Sequence, residues 1–258
     1  MREWKGSVAF ITGGARGIGL GIARALGKRG VKLALADVDE PALARAAEEL
    51  PGAVRTFRLD VRDREAFAVA ADEAERALGP VDLLFNNAGI VPHSAVEELT
   101  YAKWDLALAV NLTGVINGIQ TFLPRLIERG SGYVVNTASA AGLVSDPNLL
   151  YATAKFAVVG LSESLRLNVA KHGIGVSVLC PGPVDTDIVA HTRSLEEGVA
   201  LRDDLVPAVA AFLAGGPGID AVGEMVVAGV ERRSPWIFTG DEVRPHLEKR
   251  AAALLEAL

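Results

Sequence analysis

The chain has 258 residues, half of them hydrophobic, enough to bury one large core without help from disulfides or metals. A formal net charge of -6, with Lys and Arg scattered along the sequence, excludes the basic footprint of a nucleic-acid partner. The one cysteine, Cys180, excludes an intrachain disulfide framework and reads as a small buried apolar residue, while His93, His172, His191 and His246 lack metal-ligand spacing. No charged leader with a long apolar segment follows Met1, and no run reaches the roughly 18 apolar residues of a membrane helix. These features imply a soluble, cytoplasmic protein with no membrane partner.

Short β-branched or apolar runs alternate with longer Ala-rich segments of helical period. In chain order, strand Val8 to Thr12 leads into helix Gly17 to Arg29, strand Lys32 to Ala36 into helix Glu40 to Leu50, and strand Val54 to Leu59 into helix Arg64 to Leu78. Strand Val81 to Asn86 precedes helix Ala102 to Glu128, and strand Tyr133 to Thr137 precedes helix Tyr151 to Lys171. Strand Gly175 to Cys180, a helix around Gly223 to Val230, a seventh strand Trp236 to Thr239 and a closing helix Arg244 to Leu258 complete the chain. This alternation predicts α/β architecture: residues 1–258 as a single doubly wound (Rossmann-type) domain, with a seven-stranded parallel sheet and helices on both faces. Its ligand crevice should lie at the carboxyl ends of the strands.

Thr12-Gly13-Gly14-Ala15-Arg16-Gly17-Ile18-Gly19 falls where the first strand passes into the first helix. Glycines at 13, 17 and 19 permit a tight turn, let the backbone approach a pyrophosphate, and let the helix pack close to the strand. The helix amino end attracts negative charge. Asp37 closes the second strand 18 positions after Gly19. A carboxylate there would accept hydrogen bonds from both hydroxyls of an adenosine ribose and repel a 2′-phosphate, which favours NAD over NADP. Arg16 offers a competing reading, because a guanidinium beside the turn could pair with a 2′-phosphate or be an ordinary solvated charge.

Tyr151 and Lys155 are four residues apart at a helix start and so share one face. A phenol titrates near pH ~10, so it serves as a base at neutral pH only where a cation stabilises its phenolate; Lys155 is placed to supply one. Ser139, just beyond the fifth strand, could hold a substrate oxygen while Tyr151 moves its proton. Each residue alone is readily structural. Together, behind a dinucleotide turn, they point to a nicotinamide-dependent alcohol oxidoreductase.

In these motifs the chain resembles the short-chain dehydrogenase/reductase family, in the branch with the pattern Thr-Gly-x-x-x-Gly-x-Gly. The likeness covers residues 6 to 190 and is carried by Thr12 to Gly19, Asp60-Val61, Asn86-Asn87-Ala88-Gly89, Asn111 in Asn-Leu-Thr-Gly, Ser139, Tyr151 with Lys155, and Pro181-Gly182-Pro183-Val184-Asp185-Thr186. The resemblance implies that Tyr151 is the general acid/base, Ser139 orients the substrate oxygen, and Lys155 lowers the tyrosine pKa and binds the nicotinamide ribose. It further implies that Asn111 holds a water joining the lysine to solvent. On the cofactor side it implies Gly13, Arg16, Gly17, Ile18, Gly19 and Asp37, then Asp60 and Val61 at the adenine. Asn87, Ala88 and Gly89 would line the adenosine side, and Pro181, Gly182, Val184 and Thr186 would lie at the carboxamide end. Such proteins commonly form homodimers or homotetramers through the two long helices after the fourth and fifth strands.

Two departures stand out. Ser139 precedes Tyr151 by 12 residues, one fewer than in many relatives, which predicts a trimmed connection over Leu143 to Leu150. The carboxyl end lacks the frequent Val-Asp-Gly-Gly. Its tail, with Asn111 to Gly118 and Glu242 to Lys249, is similar to relatives that oxidise benzylic alcohols in lignin-derived aryl ethers. Substrate determinants are expected in Ile90 to Ser94, Leu143 to Leu150 and the stretch after Pro183, because these follow strand ends. Their mostly apolar side chains favour an uncharged, hydrophobic secondary alcohol or ketone, although His93 and Arg193 could hold a polar substituent. Ile188 to Leu205 lacks a strong period and reads as a mobile lid within a substrate region at 184–222. The expected function is hydride transfer between NAD(H) and a secondary alcohol or ketone. An NADP-dependent ketone reductase, a nicotinamide-binding regulator without turnover, and nucleotide-sugar epimerase or dehydratase chemistry are the alternatives.

Overall fold

Strands apolar at every position need cover on both faces, and the computed structural model, which describes residues 4–258, supplies it with helices. The strands are β1 (Val8–Thr12), β2 (Lys32–Asp37), β3 (Val54–Arg58), β4 (Leu83–Asn86), β5 (Gly132–Thr137), β6 (Ile174–Cys180) and β7 (Trp236–Phe238). All pair in parallel, in the order β3-β2-β1-β4-β5-β6-β7. This is the doubly wound seven-stranded sheet implied by the sequence pattern. The chain winds outward from β1 to β3 and then returns to β4 beside β1, so the carboxyl ends of β1 and β4 border the crevice where such folds hold ligands.

The helices are α1 (Gly17–Gly27), α2 (Glu40–Glu49), α3 (Arg64–Leu78), α4 (Tyr101–Leu108), α5 (Gly114–Arg129), α6 (Leu149–Val169), α7 (Ile188–Leu195), α8 (Val206–Ala214), α9 (Ile219–Glu231) and α10 (Arg244–Glu256). Successive strand residues face opposite sides. Val8 and Phe10 join one core with Phe67 of α3, Phe122 of α5 and Val158 of α6. Ala9 and Ile11 join the other with Ile22 and Leu26 of α1, Leu43 of α2 and Val226 of α9. The Phe10 ring lies 4.9 Å from that of Phe122 and 5.8 Å from that of Phe67, the spacing of favourable aromatic pairs. The half-exposed edge strand β3 carries Arg55 and Arg58, charges that discourage pairing with another chain.

Several boundaries differ from the sequence expectation for identifiable reasons. The predicted strand start at Val81 shifts to Leu83 because the Val81 amide donates to the Glu75 carboxylate instead of a ladder partner. The predicted single helix Ala102 to Glu128 is α4 and α5 joined by a π-helical turn, Ala109–Thr113, which carries Asn111. The helix expected to open at Tyr151 opens at Leu149, because the Asn148 side chain accepts the Tyr151 amide and caps it. The segment read as an aperiodic lid, Ile188 to Leu205, contains α7 and the 3₁₀ turn Glu197–Val199, and the wider region 184–222 adds α8 and the start of α9. It is pinned: the His93 amide donates to the Val199 carbonyl at 2.8 Å and the Val91 amide to the Thr192 hydroxyl at 3.0 Å.

The stretch Tyr101–Arg129 is long and apolar enough to cross a membrane, but 44% of its most apolar window is buried within the protein, where α5 packs against α3, β4 and β5. Phe122 and Leu126 of this stretch are core residues.

α1 and α9 cross at backbone contact: a methyl group on Gly223 would strike the Gly21 carbonyl, and one on Gly21 would strike the Ile219 carbonyl. Gly223→Ala should therefore destabilise the protein by about 1–3 kcal/mol, as overpacking does. Gly160 of α6 has open space around it, so Gly160→Ala should stabilise by about 0.5–1 kcal/mol. Thermal melts of the two variants check the contrast.

Candidate active site

The glycine turn is held from both sides of the sheet reversal. Thr12 of β1 accepts the Asn87 and Ala88 amides on its hydroxyl, at 3.0 and 3.1 Å. The Asn87 side-chain amide donates to the Thr12 and Gly13 carbonyls, and its oxygen accepts from the Thr137 hydroxyl. A side chain on Gly13 would press on the Ala88 backbone at 2.8 Å, and Gly13 adopts φ +62°, a conformation costly for any other residue. Gly17 lies at φ +52°, with Thr186 packed against it.

No side chain caps the first turn of α1, whose amides are free of intrahelical partners. A narrow, glycine-lined turn ending in uncapped amides fits the pyrophosphate of a dinucleotide. Asp37 ends β2 almost wholly buried, with its carboxylate accepting the Ala15 and Asp39 amides, each at 3.2 Å. Ile18 packs partly buried on the core beneath the turn.

The catalytic candidates converge beside this turn. Ser139 follows β5 and its hydroxyl oxygen accepts the Ala141 amide, capping the 3₁₀ turn Ala140–Gly142. Gly142 lets the Lys155 carbonyl approach: a methyl there would lie 2.6 Å from it. That close packing brings α6 to Ser139, close enough for the Ser139 hydroxyl to act on the Tyr151 phenol. The twelve-residue spacing is thus taken up by the 3₁₀ turn.

Lys155 is 3% exposed, stands 5.4 Å from the centre of the Tyr151 ring and donates to the Thr137 carbonyl at 3.0 Å. Asn111 is fully buried, its oxygen accepting the Ile90 amide and its nitrogen donating to the Ala107 carbonyl. A methyl on Gly89 would lie 2.9 Å from the Asn111 oxygen and 3.5 Å from the Lys155 ammonium, which places these two groups on one small gap.

Burial dominates the titration of the pair. It pushes the Tyr151 phenol up to about 12, opposed by the Ser139 hydrogen bond, and pushes the Lys155 ammonium down to about 8. The tyrosine lowering implied by the resemblance is therefore outweighed by desolvation in the protein alone. The Cys180 thiol, buried beside Ser139, is also raised to about 12 and inert as a nucleophile.

Other expected residues are placed less simply. The Asp60 carboxylate binds the Arg62 guanidinium and amide, and Val61 packs against Gly114 of the π-turn junction. Val184 is buried in the core. The Pro181 carbonyl accepts the Ala140 amide, and the Gly182 amide donates to the Thr239 hydroxyl, fixing the loop after β6. Leu143 and Leu150 are buried, which leaves Val144 to Leu149 as the accessible part of that loop. Arg193 is occupied by the Leu201 carbonyl and the Asp203 carboxylate.

Sequence reasoning missed two acidic residues at the crevice rim. Arg16, at the N-cap of α1, pairs with Asp39 and with Asp187, the latter at 2.8 Å. Asp39 was visible as a cap, since it precedes Glu40-Pro41 at a helix start. Its partnership across the crevice was not.

Doubly wound folds hold dinucleotides at such a crevice, and oxidoreductases use it to bring nicotinamide and substrate side by side. The chain belongs to the short chain dehydrogenase family, whose model matches residues 7–197. It is 36% identical to a C alpha-dehydrogenase of Sphingobium sp. (strain NBRC 103272 / SYK-6), over all of this chain and 88% of that protein. It is 34% identical to a D-threitol dehydrogenase of Mycolicibacterium smegmatis, over 81% of this chain and 86% of that one. A short chain dehydrogenase/reductase from Burkholderia phymatum, solved in complex with NAD, superposes with a TM-score of 0.93 at 33% identity, covering 100% of this chain and 97% of that structure. The protein is an oxidoreductase of this family.

Burying Lys155 has a stability consequence. Below pH 8 the native ammonium bears its full desolvation cost, and between about pH 8 and 10.5 the native amine is neutral while the unfolded one is still charged. Folding stability from this group therefore rises with pH across that window. The shift corresponds to roughly 3 kcal/mol, so Lys155→Met should melt a few degrees higher than the wild type at pH 7, with the gain shrinking toward pH 10. A variant that melts lower at pH 7 would contradict this.

Proposed function

We propose that the protein transfers a hydride between NAD(H) and a hydrophobic secondary alcohol or its ketone. The observation that carries this reading is the part-buried Tyr151 phenol set beside the Ser139 hydroxyl and the Lys155 ammonium, next to a glycine turn that fits a pyrophosphate. Bound nicotinamide would supply or accept the hydride. Gly13, Gly17, Ile18 and Gly19 would hold the pyrophosphate with Arg16 at their rim, and Asp37 the adenosine ribose. Asp60, Val61, Asn87, Ala88 and Gly89 would flank the adenosine side, and Pro181, Gly182, Val184 and Thr186 the carboxamide end.

Tyr151 gives its proton to the substrate oxygen in reduction and takes it in oxidation. The Ser139 oxygen accepts the Ala141 amide, and its proton, directed toward the Tyr151 phenol here, would be donated to the substrate oxygen once that oxygen sits between them. Lys155, anchored on the Thr137 carbonyl, keeps its charge near the phenol and faces the nicotinamide ribose, while Asn111 fixes the far side of the ammonium gap. NAD is favoured because Asp37 is a buried, doubly hydrogen-bonded carboxylate that cannot move away from a 2′-phosphate. The structural neighbour from Burkholderia phymatum binds NAD.

Val91 and Val144, partly exposed after β4 and β5, would give the substrate side an apolar character, with the region 184–222 as its cover. The resemblance of the carboxyl-terminal tail adds benzylic secondary alcohols to the candidates, and the relative named C alpha-dehydrogenase supports a dehydrogenase reaction. The family commonly forms oligomers. Exposed Ile116 and Ile127 of α5 and Leu167 of α6 support a homodimer or homotetramer through those helices, in a soluble, cytoplasmic protein.

Tyr151→Phe should lower kcat by about 10²–10⁴-fold while NADH affinity, read by nicotinamide fluorescence, stays within about twofold. In the wild type, alcohol oxidation should accelerate as pH rises above 7, because the phenol must lose its proton to act as base. Ketone reduction, which uses the protonated phenol, should stay nearly flat over the same range, because the phenol titrates only at about 12. Full turnover by the Phe variant would sink the mechanism.

A further inference from the structure

The notable charge cluster outside the proton-transfer group is centred on Arg16. Its two terminal nitrogens bind two carboxylates from opposite walls of the crevice, Asp39 after β2 and Asp187 at the start of α7. Its Nε is buried without a partner, so these two contacts alone hold the guanidinium. Neither acid is placed there by chance of capping alone. Asp39 divides its oxygens: Oδ1 accepts the Ala42 amide and caps α2, and Oδ2 binds Arg16. Asp187 occupies the N-cap position of α7 yet caps nothing, its carboxylate being turned to Arg16. Thr186, the residue before it, packs on Gly17, so the cluster lies directly against the glycine turn.

A guanidinium at this rim is the natural partner for a ribose 2′-phosphate, which brings nearly two negative charges and three acceptor oxygens. Here each of its terminal nitrogens is already paired with an anion, with Asp37 a third carboxylate nearby. We propose that Asp39 and Asp187 are selectivity residues for the cofactor, acting through Arg16: by binding both terminal nitrogens they withhold the one cation that would otherwise accept a 2′-phosphate. They are positioning residues, touching the guanidinium and not the ribose. The inference rests on the NAD reading above and adds to it. Asp37 repels the phosphate, and Asp39 with Asp187 removes its compensation.

Asp39→Asn isolates this role, because asparagine caps a helix as well as aspartate does but leaves Arg16 one anion short. Direct titrations of NADH and NADPH by nicotinamide fluorescence need no substrate. The NADPH affinity relative to NADH should rise by roughly fivefold to tenfold in Asp39→Asn, by a similar factor in Asp187→Asn, and less at high salt. Adding Arg16→Gln to Asp39→Asn should remove most of that gain. An unchanged ratio in both single variants overturns the inference, as does a gain that survives Arg16→Gln, since that would be simple loss of repulsion. A wild type that binds NADPH more tightly than NADH overturns the NAD reading itself, whereas a wild type that prefers NADH with unresponsive variants overturns only the role of Asp39 and Asp187.

Discussion

An ammonium group buried to 3% exposure with a single backbone carbonyl as its hydrogen-bond partner constrains what may surround it, and the active-site half of this fold is arranged around Lys155. Burial of this kind is unfavourable unless neighbouring groups are fixed to offset it. Three local features do so. Thr137 ends β5 with its carbonyl aimed at the ammonium, the π-helical turn carries Asn111 to the far side, and glycines at 89 and 142 keep the approaches clear. The same packing that admits Lys155 draws Tyr151 onto Ser139. Stability is given up at one position to hold reactive groups in register, a pattern common at catalytic centres.

The second organising element is the reversal between β1 and β4. Thr12 and Asn87 stitch the two strand ends together, and Asn87 continues the network to Thr137 of β5. The candidate dinucleotide turn and the candidate proton-transfer group, far apart in sequence, are thereby connected through one chain of hydrogen bonds. The segment from Pro183 onward lies across this seam, with Thr186 on Gly17 and Asp187 on Arg16 at one end, and Thr192 and Val199 bonded to the loop after β4 at the other. The proposed substrate and cofactor regions are consequently not separate surfaces.

Much of this was legible in the sequence. Strands buried on both faces leave continuous apolar runs such as Val8 to Thr12 and Ile174 to Cys180, and their regular alternation with helices leaves few topologies to consider. The glycine turn and the Tyr151-Lys155 spacing are local, so they survive reading in one dimension. What escaped is non-local. Arg16 and Asp187 are 171 positions apart, and no local pattern joins them. The π-turn at Asn111 lies inside an unbroken helical period. The helices between 188 and 214 are short, and α8 is apolar yet without a buried residue, so no amphipathic period announces it. Desolvation of Tyr151 is likewise a property of packing, invisible in the spacing of the two residues.

The most direct test of the functional account is nicotinamide absorbance with purified protein, offered NAD or NADP with aliphatic, alicyclic and benzylic secondary alcohols. The account predicts reduction of NAD by at least one hydrophobic member of the panel, with NADP a poorer acceptor. Tight binding of NADH with no turnover of any alcohol, or turnover that prefers NADP, would contradict it.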